Sequence, residues 1–89
     1  MPAFDLETFA ENGILRENSV REAFASFDWE KYRNKTVHIR GCAQIAIPTW
    51  AFVMATAYLS QVAKRITFGE DRDPMPIFAR EQAQEQTQS

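Results

Sequence analysis

The chain has one thiol and one imidazole, and their positions decide what chemistry it can be asked to do. Cys42 follows Gly41 directly, at the end of the strand-like run Thr36-Val37-His38-Ile39-Arg40. A cysteine at the carboxyl end of a parallel strand, just ahead of a helix N-terminus, stands where open α/β sheets bind ligands. The helix N–H groups there favour a thiolate. Sulfur transfer or help in holding a cluster is the chemistry such a thiol would offer. Against this, the usual fate of a free cysteine is a small buried apolar residue. The following loop, Ala43-Gln44-Ile45-Ala46-Ile47-Pro48, also lacks the arginine and second glycine of a phosphate cradle. With no second cysteine there is neither a redox pair nor a cysteine metal site. Cys42 is therefore the one catalytic candidate, set against an inert alternative.

His38 lies on the same strand face as Cys42 but about 13 Å away in an extended chain, too far to share a metal. A hydrogen-bonded sheet-face histidine is the favoured reading. Glu70, Asp71 and Asp73 lack the ordered oxygen ligands of a calcium loop and read as a solvated turn. Trp50, Met54 and Tyr58 recur at helical spacing. They read as core plus interface rather than a cofactor groove.

These residues need a frame, and the pattern supplies a βαβ unit from Thr36 to Phe68. Val37 and Ile39 alternate with His38 and Arg40, so one strand face should be buried and the other wetter. Pro48 suits the first turn of a helix running to about Lys64. Its residues form two apolar stripes, Phe52/Ala55/Thr56/Leu59/Val62/Ala63 and Trp50/Val53/Met54/Ala57/Tyr58. A helix apolar on nearly all sides needs cover on nearly all sides. Ile66-Thr67-Phe68 is the second strand and, after a strand–helix crossover, runs parallel to the first. Glu70 to Pro74 reads as a turn, and Ile77-Phe78 as a short third strand kept at the edge by Pro76.

Upstream, Asp5 to Ala10 is expected to form one helical turn with Phe4, Leu6 and Phe9 as anchors, and Asn12-Gly13 marks a turn. Ser19-Val20-Arg21-Glu22 matches a capping box. The helix it opens places Val20, Ala23, Phe24 and Phe27 on one face. Trp29 and Tyr32, three apart, are placed to pack side by side.

Composition sets limits. A chain of 89 residues, 45% hydrophobic and 25% charged, is ordinary globular composition for one small domain. A net charge of −2 without a basic cluster argues against nucleic acid. Met1-Pro2-Ala3-Phe4-Asp5 has no signal-peptide character, so the expected location is the cytoplasm. Gly41 to Ala63 carries no charge, but Pro48 divides it and it holds Gln44, Thr49, Thr56, Ser60 and Gln61. It is expected to be a buried helix and not a membrane span. Residues 1–80 are expected to form the domain, and the Gln-rich 81–89 a disordered tail.

Asp28-Trp29-x-x-Tyr32, Val37-x-Ile39-x-Gly41-Cys42, Ile47-Pro48-Thr49-Trp50-Ala51 and Ala63-Lys64-Arg65-Ile66-x-Phe68-Gly69, in this order and spacing, resemble the bacterial domain-of-unknown-function family DUF2480 over about Leu6 to Phe78. The resemblance supplies no activity and no catalytic residue. It implies a genomic setting near iron–sulfur cluster assembly in some bacteria. Many members carry a longer N-terminal region than this chain.

The expected fold is α/β: a small, mainly parallel two- or three-stranded sheet built on one βαβ unit, with an additional N-terminal helix. The expected function is a non-enzymatic accessory or interaction module, linked through the family resemblance to iron–sulfur cluster assembly. The alternative is a thiol-dependent factor using Cys42. A homodimer is expected, because the long helix has more apolar face than one short helix covers. A protein partner fits the same surface. The sequence names no cofactor, no metal ligand set and no membrane or nucleic-acid partner.

Overall fold

The computed structural model describes residues 1–41 and 44–80. Four strands form one sheet in the order β1 (Ala3–Phe4), β2 (Thr36–Arg40), β3 (Arg65–Glu70) and β4 (Asp73–Ala79). The α/β class and the parallel βαβ pair β2–β3 are as the sequence predicts. The strand count is not, because β1 joins β2 in parallel and β4 joins β3 antiparallel.

β1 is too short to show an alternation. What makes it a strand is its partner: the His38 N–H donates to the Pro2 carbonyl at 2.9 Å, and Phe4 sits opposite Ile39. The expected turn at Glu70–Pro74 shrinks to Asp71-Arg72, and the expected dipeptide strand at Ile77 grows to seven residues, β4. β4 tolerates Pro74 and Pro76 because it is an edge strand. A register shift opposite Ile66/Thr67 leaves Ile77 as the extra residue.

A one-turn 3-10 helix at Leu6–Phe9 follows β1, with the Asp5 carboxylate accepting the Glu7 N–H at 3.0 Å. Asn12 and Gly13, at φ 52° and 78°, make a tight turn closed by reciprocal hydrogen bonds between Glu11 and Ile14. Helix α1 (Glu17–Ser26) then starts two residues before the expected capping box. Ser19 lies inside its first turn, where its hydroxyl reaches Glu11 Oε1 at 3.4 Å and caps nothing. Glu17 and Arg21 form an i,i+4 ion pair on its solvent side. Helix α2 (Thr49–Leu59) takes Pro48 as its N-cap, with extended backbone, and not as its first residue. It stops five residues short of Lys64, since the chain must turn to enter β3. Val62 and Ala63 donate to the Leu59 carbonyl, and Lys64 donates to the Lys35 carbonyl.

Both helices pack on one sheet face, the face of Phe4, Val37, Ile39, Ile66 and Phe68. Ala51, Ala55 and Leu59, one residue per turn of α2, are fully buried against it. Phe4 lies within an aromatic cluster of Phe9, Phe24, Phe27, Trp29 and Tyr32. Trp29 and Tyr32 meet through shared partners, Phe4 and Phe27, rather than side by side; Trp29 also stacks on Tyr58 at 4.9 Å. Burial pushes the Tyr32 phenol above its ordinary value of 10.0. Among the described residues no helix is long and apolar enough to cross a membrane.

Candidate functional site

Two places on the molecule collect features that packing alone does not require. The first is polar and lies at the carboxyl ends of β2 and β3. His38 falls on the sheet face opposite the helices, which the alternation predicts to be wetter, yet it is only 3% exposed. The cause is local. Thr67 stands opposite it on β3, and the β3–β4 turn brings Asp71 over its outer edge.

The imidazole is saturated there. Nε2 lies 3.1 Å from the Gly69 carbonyl and 3.4 Å from Asp71 Oδ1. Both are acceptors, so Nε2 carries the proton. Nδ1 then accepts the Thr67 hydroxyl at 2.8 Å. The chain of contacts continues from the same Asp71 oxygen to Arg40 Nε at 3.4 Å, and from Arg40 Nη1 to Asp5 Oδ2 at 3.7 Å. Hydroxyl, imidazole and carboxylate in that order resemble a nucleophile, a base and an orienting acid. The resemblance stops at access. Two surface hollows adjoin the cluster, of about 230 and 340 Å³, and Thr67 lines neither. The exposed end presents only Arg40–carboxylate pairs in water, which are worth little to stability. The cluster works as a clamp joining the β3–β4 turn to β2 and to the first helical turn.

Gly69 is the clamp's hinge. Its carbonyl accepts both the His38 Nε2–H and the Gly41 N–H, the latter at 2.9 Å. Its own φ is +119°, where side chains are strained. A Cβ on Gly41 would stand 3.1 Å from the Gly69 Cα and 3.3 Å from the Phe68 ring. Gly69→Ala is expected to lower stability by about 1–3 kcal/mol and to speed amide exchange in the β3–β4 hairpin. Urea unfolding checks the first effect; a midpoint equal to wild type would refute it.

The second place is the outward side of α2. Of the residues expected to form an interface, Trp50, Met54 and Tyr58 are half-buried. Tyr58 is held within the chain by Trp29 and, edge-on at 5.6 Å, by Phe24. The outermost line is instead Thr49, Val53 and Ala57, all exposed and four residues apart, with Val53 62% exposed. A groove of about 420 Å³ runs along one side of this ridge, lined by Phe52, Thr56, Phe68 and Ile77. A second of about 560 Å³ runs along the other, lined by Trp50, Met54 and Arg21. No residue of α2 is charged.

Cys42 lies outside the described residues; its neighbour Gly41 is fixed at the carboxyl edge of β2 by the bond to Gly69. Glu70, Asp71 and Asp73 spread around the β3–β4 turn, and among the described residues no three His, Cys, Asp or Glu side chains come together to hold a metal. The clamp partners Asp5, Thr67 and Asp71 are not visible as a group in the sequence, because strand register alone brings them to His38.

Compared with known families, residues 1–87 match the family described as Protein of unknown function (DUF2480), and the chain belongs to that family. No curated protein and no solved structure matches it.

Proposed function

We propose that this DUF2480 protein is a non-enzymatic accessory or interaction module whose working surface is the outward face of α2. The observation that carries the reading is the exposed, charge-free ridge of Thr49, Val53 and Ala57 between two apolar grooves. A small domain that leaves such a face to water does so for a docking purpose. The polar cluster offers no competing chemistry, since its hydroxyl is shut away from both adjoining hollows. The setting we assign is the cytoplasm and the service of iron–sulfur cluster assembly, carried over from the family resemblance. In a strain carrying Val53→Glu in place of the wild-type gene, iron–sulfur-dependent enzyme activities in extracts are expected to fall as far as in the deletion. Cys42→Ser is expected to leave them unchanged. The opposite pattern overturns the reading.

That opposite pattern belongs to a second reading, a thiol-dependent factor working through Cys42. It is favoured by the placement of Gly41 at the carboxyl edge of the parallel strands, beside Arg40. Alkylation of the folded protein separates the two. A depressed thiol pKa with fast reaction near neutral pH supports the thiol reading, and a slow reaction with an ordinary or raised pKa supports the module.

A further inference from the structure

We propose that the occupant of the α2 face is a second copy of the same chain, the two helices crossing about a two-fold axis at Val53 and Ala57. This deepens, and rests on, the reading of α2 as the working surface. Three observations lead to it.

The first is shape. A two-fold interface applies one patch to itself, so the patch must carry both a projection and a recess that receives it. Thr49, Val53 and Ala57 form an i,i+4 ridge, and the grooves on either side of it are open. Ridges of this spacing interdigitate at a crossing angle of about −50°. Val53 of each copy then enters a groove of the other.

The second is charge. From Thr49 to Leu59 there is no ionisable side chain except the Tyr58 phenol. The one charge lining either groove is Arg21, which is already paired with Glu17 on its own helix. A second copy therefore brings no unpaired charge against this face. A partner selected by charge would find only this neutralised pair to read.

The third is the character of the segment that follows β4. After Arg80, whose guanidinium donates to the Ser60 carbonyl beside the end of α2, the sequence continues Glu-Gln-Ala-Gln-Glu-Gln-Thr-Gln-Ser. Nothing in it is larger and apolar enough to fill a groove lined by Phe52, Phe68 and Ile77.

Size bounds the interface. A stable interface takes roughly 800 Å² from each partner, and an eleven-residue helix is only about 16 Å long. Ile77, at 42% exposed, and Met75, opposite Phe68 on the same sheet face, widen the patch. For a small contact of this kind we expect dissociation in the micromolar range.

Sedimentation equilibrium of the whole chain across that range is expected to show wild type passing from monomer to dimer. Val53→Glu should raise the dissociation constant at least about 100-fold with an unchanged circular dichroism spectrum. Ile14→Glu, at an exposed apolar residue lining neither groove, should dimerise like wild type. Should Val53→Glu fail to fold, Val53→Cys in a Cys42→Ser background serves instead: it is expected to form an intermolecular disulfide in air, and Ile14→Cys in the same background is not. A wild type monomeric throughout, or a dimer indifferent to both Val53 variants, overturns the proposal. If wild type is monomeric while Val53→Glu still lowers the iron–sulfur activities, the second copy is refuted and the module reading stands. If Val53→Glu breaks the dimer and leaves those activities intact, the dimer stands and the module reading is refuted.

Discussion

Phe24→Ala is expected to cost about 3–5 kcal/mol. The domain's whole stability, at typical values per residue, is about 4–12 kcal/mol, so the variant should be unfolded or close to it at 37 °C. The reason is position. Phe24 has no solvent exposure and is met edge-on by Phe9, Trp29, Phe4 and Tyr58 at centroid distances of 5.0, 5.1, 6.0 and 5.6 Å. These contacts join α1 to β1, to the turn at Trp29 and to α2. Truncation leaves a void that none of the neighbours can close alone, because each ring is also held by another. Trp29 is tied further by its indole N–H, which donates to the Phe24 carbonyl at 2.8 Å. Phe24→Leu keeps most of the volume and is expected to cost about 1 kcal/mol. Urea unfolding followed by tryptophan fluorescence reads both, and a Phe24→Ala midpoint close to that of Phe24→Leu would show that the cluster repacks.

How much of this was legible depended on how far apart in sequence the interacting residues are. Val20 and Phe24 were readable as a buried face because helical spacing is local. Val37, Ile39, Ile66 and Phe68 were readable because alternation is local. Phe4 is legible as an anchor but not as a strand residue: two residues carry no period, and its strand character comes entirely from β2. The end of α2 is not legible for a related reason. Val62 and Ala63 continue the apolar stripe, and nothing in their types says that the backbone must leave the helix to reach β3. Along the candidate surface, Trp50, Met54 and Tyr58 stand out in the sequence by size. The line that meets water is Thr49, Val53 and Ala57, because Trp29 and Phe24 claim Tyr58 from inside the chain. His38 is legible as a hydrogen-bonded residue on the correct sheet face, but its burial is not, since the residue that covers it, Asp71, comes from a hairpin whose length the two prolines of β4 disguise.

The largest effect after Phe24 is expected at His38. His38→Ala should cost about 2–4 kcal/mol, the sum of a void and one orphaned hydroxyl. Of its partners, Gly69 keeps the Gly41 N–H and Asp71 keeps Arg40 and water, but Thr67, 7% exposed, loses the acceptor for its hydroxyl. Two further substitutions divide the sum. His38→Phe fills the void and leaves Thr67 orphaned. Adding Thr67→Val removes the orphan as well, so the double variant should be more stable than the sum of the single losses predicts, by about 1–2 kcal/mol. Strictly additive losses would mean that the 2.8 Å hydrogen bond contributes nothing. The same series separates clamp from surface. The imidazole touches neither the Val53 ridge nor its grooves. His38→Phe should therefore lower the urea midpoint while leaving the monomer–dimer equilibrium of the folded protein where it was. Val53→Glu should do the reverse, shifting association and sparing the unfolding midpoint measured on monomers. Paired opposite responses of that kind would assign the polar cluster to holding the hairpin and the α2 ridge to meeting a partner.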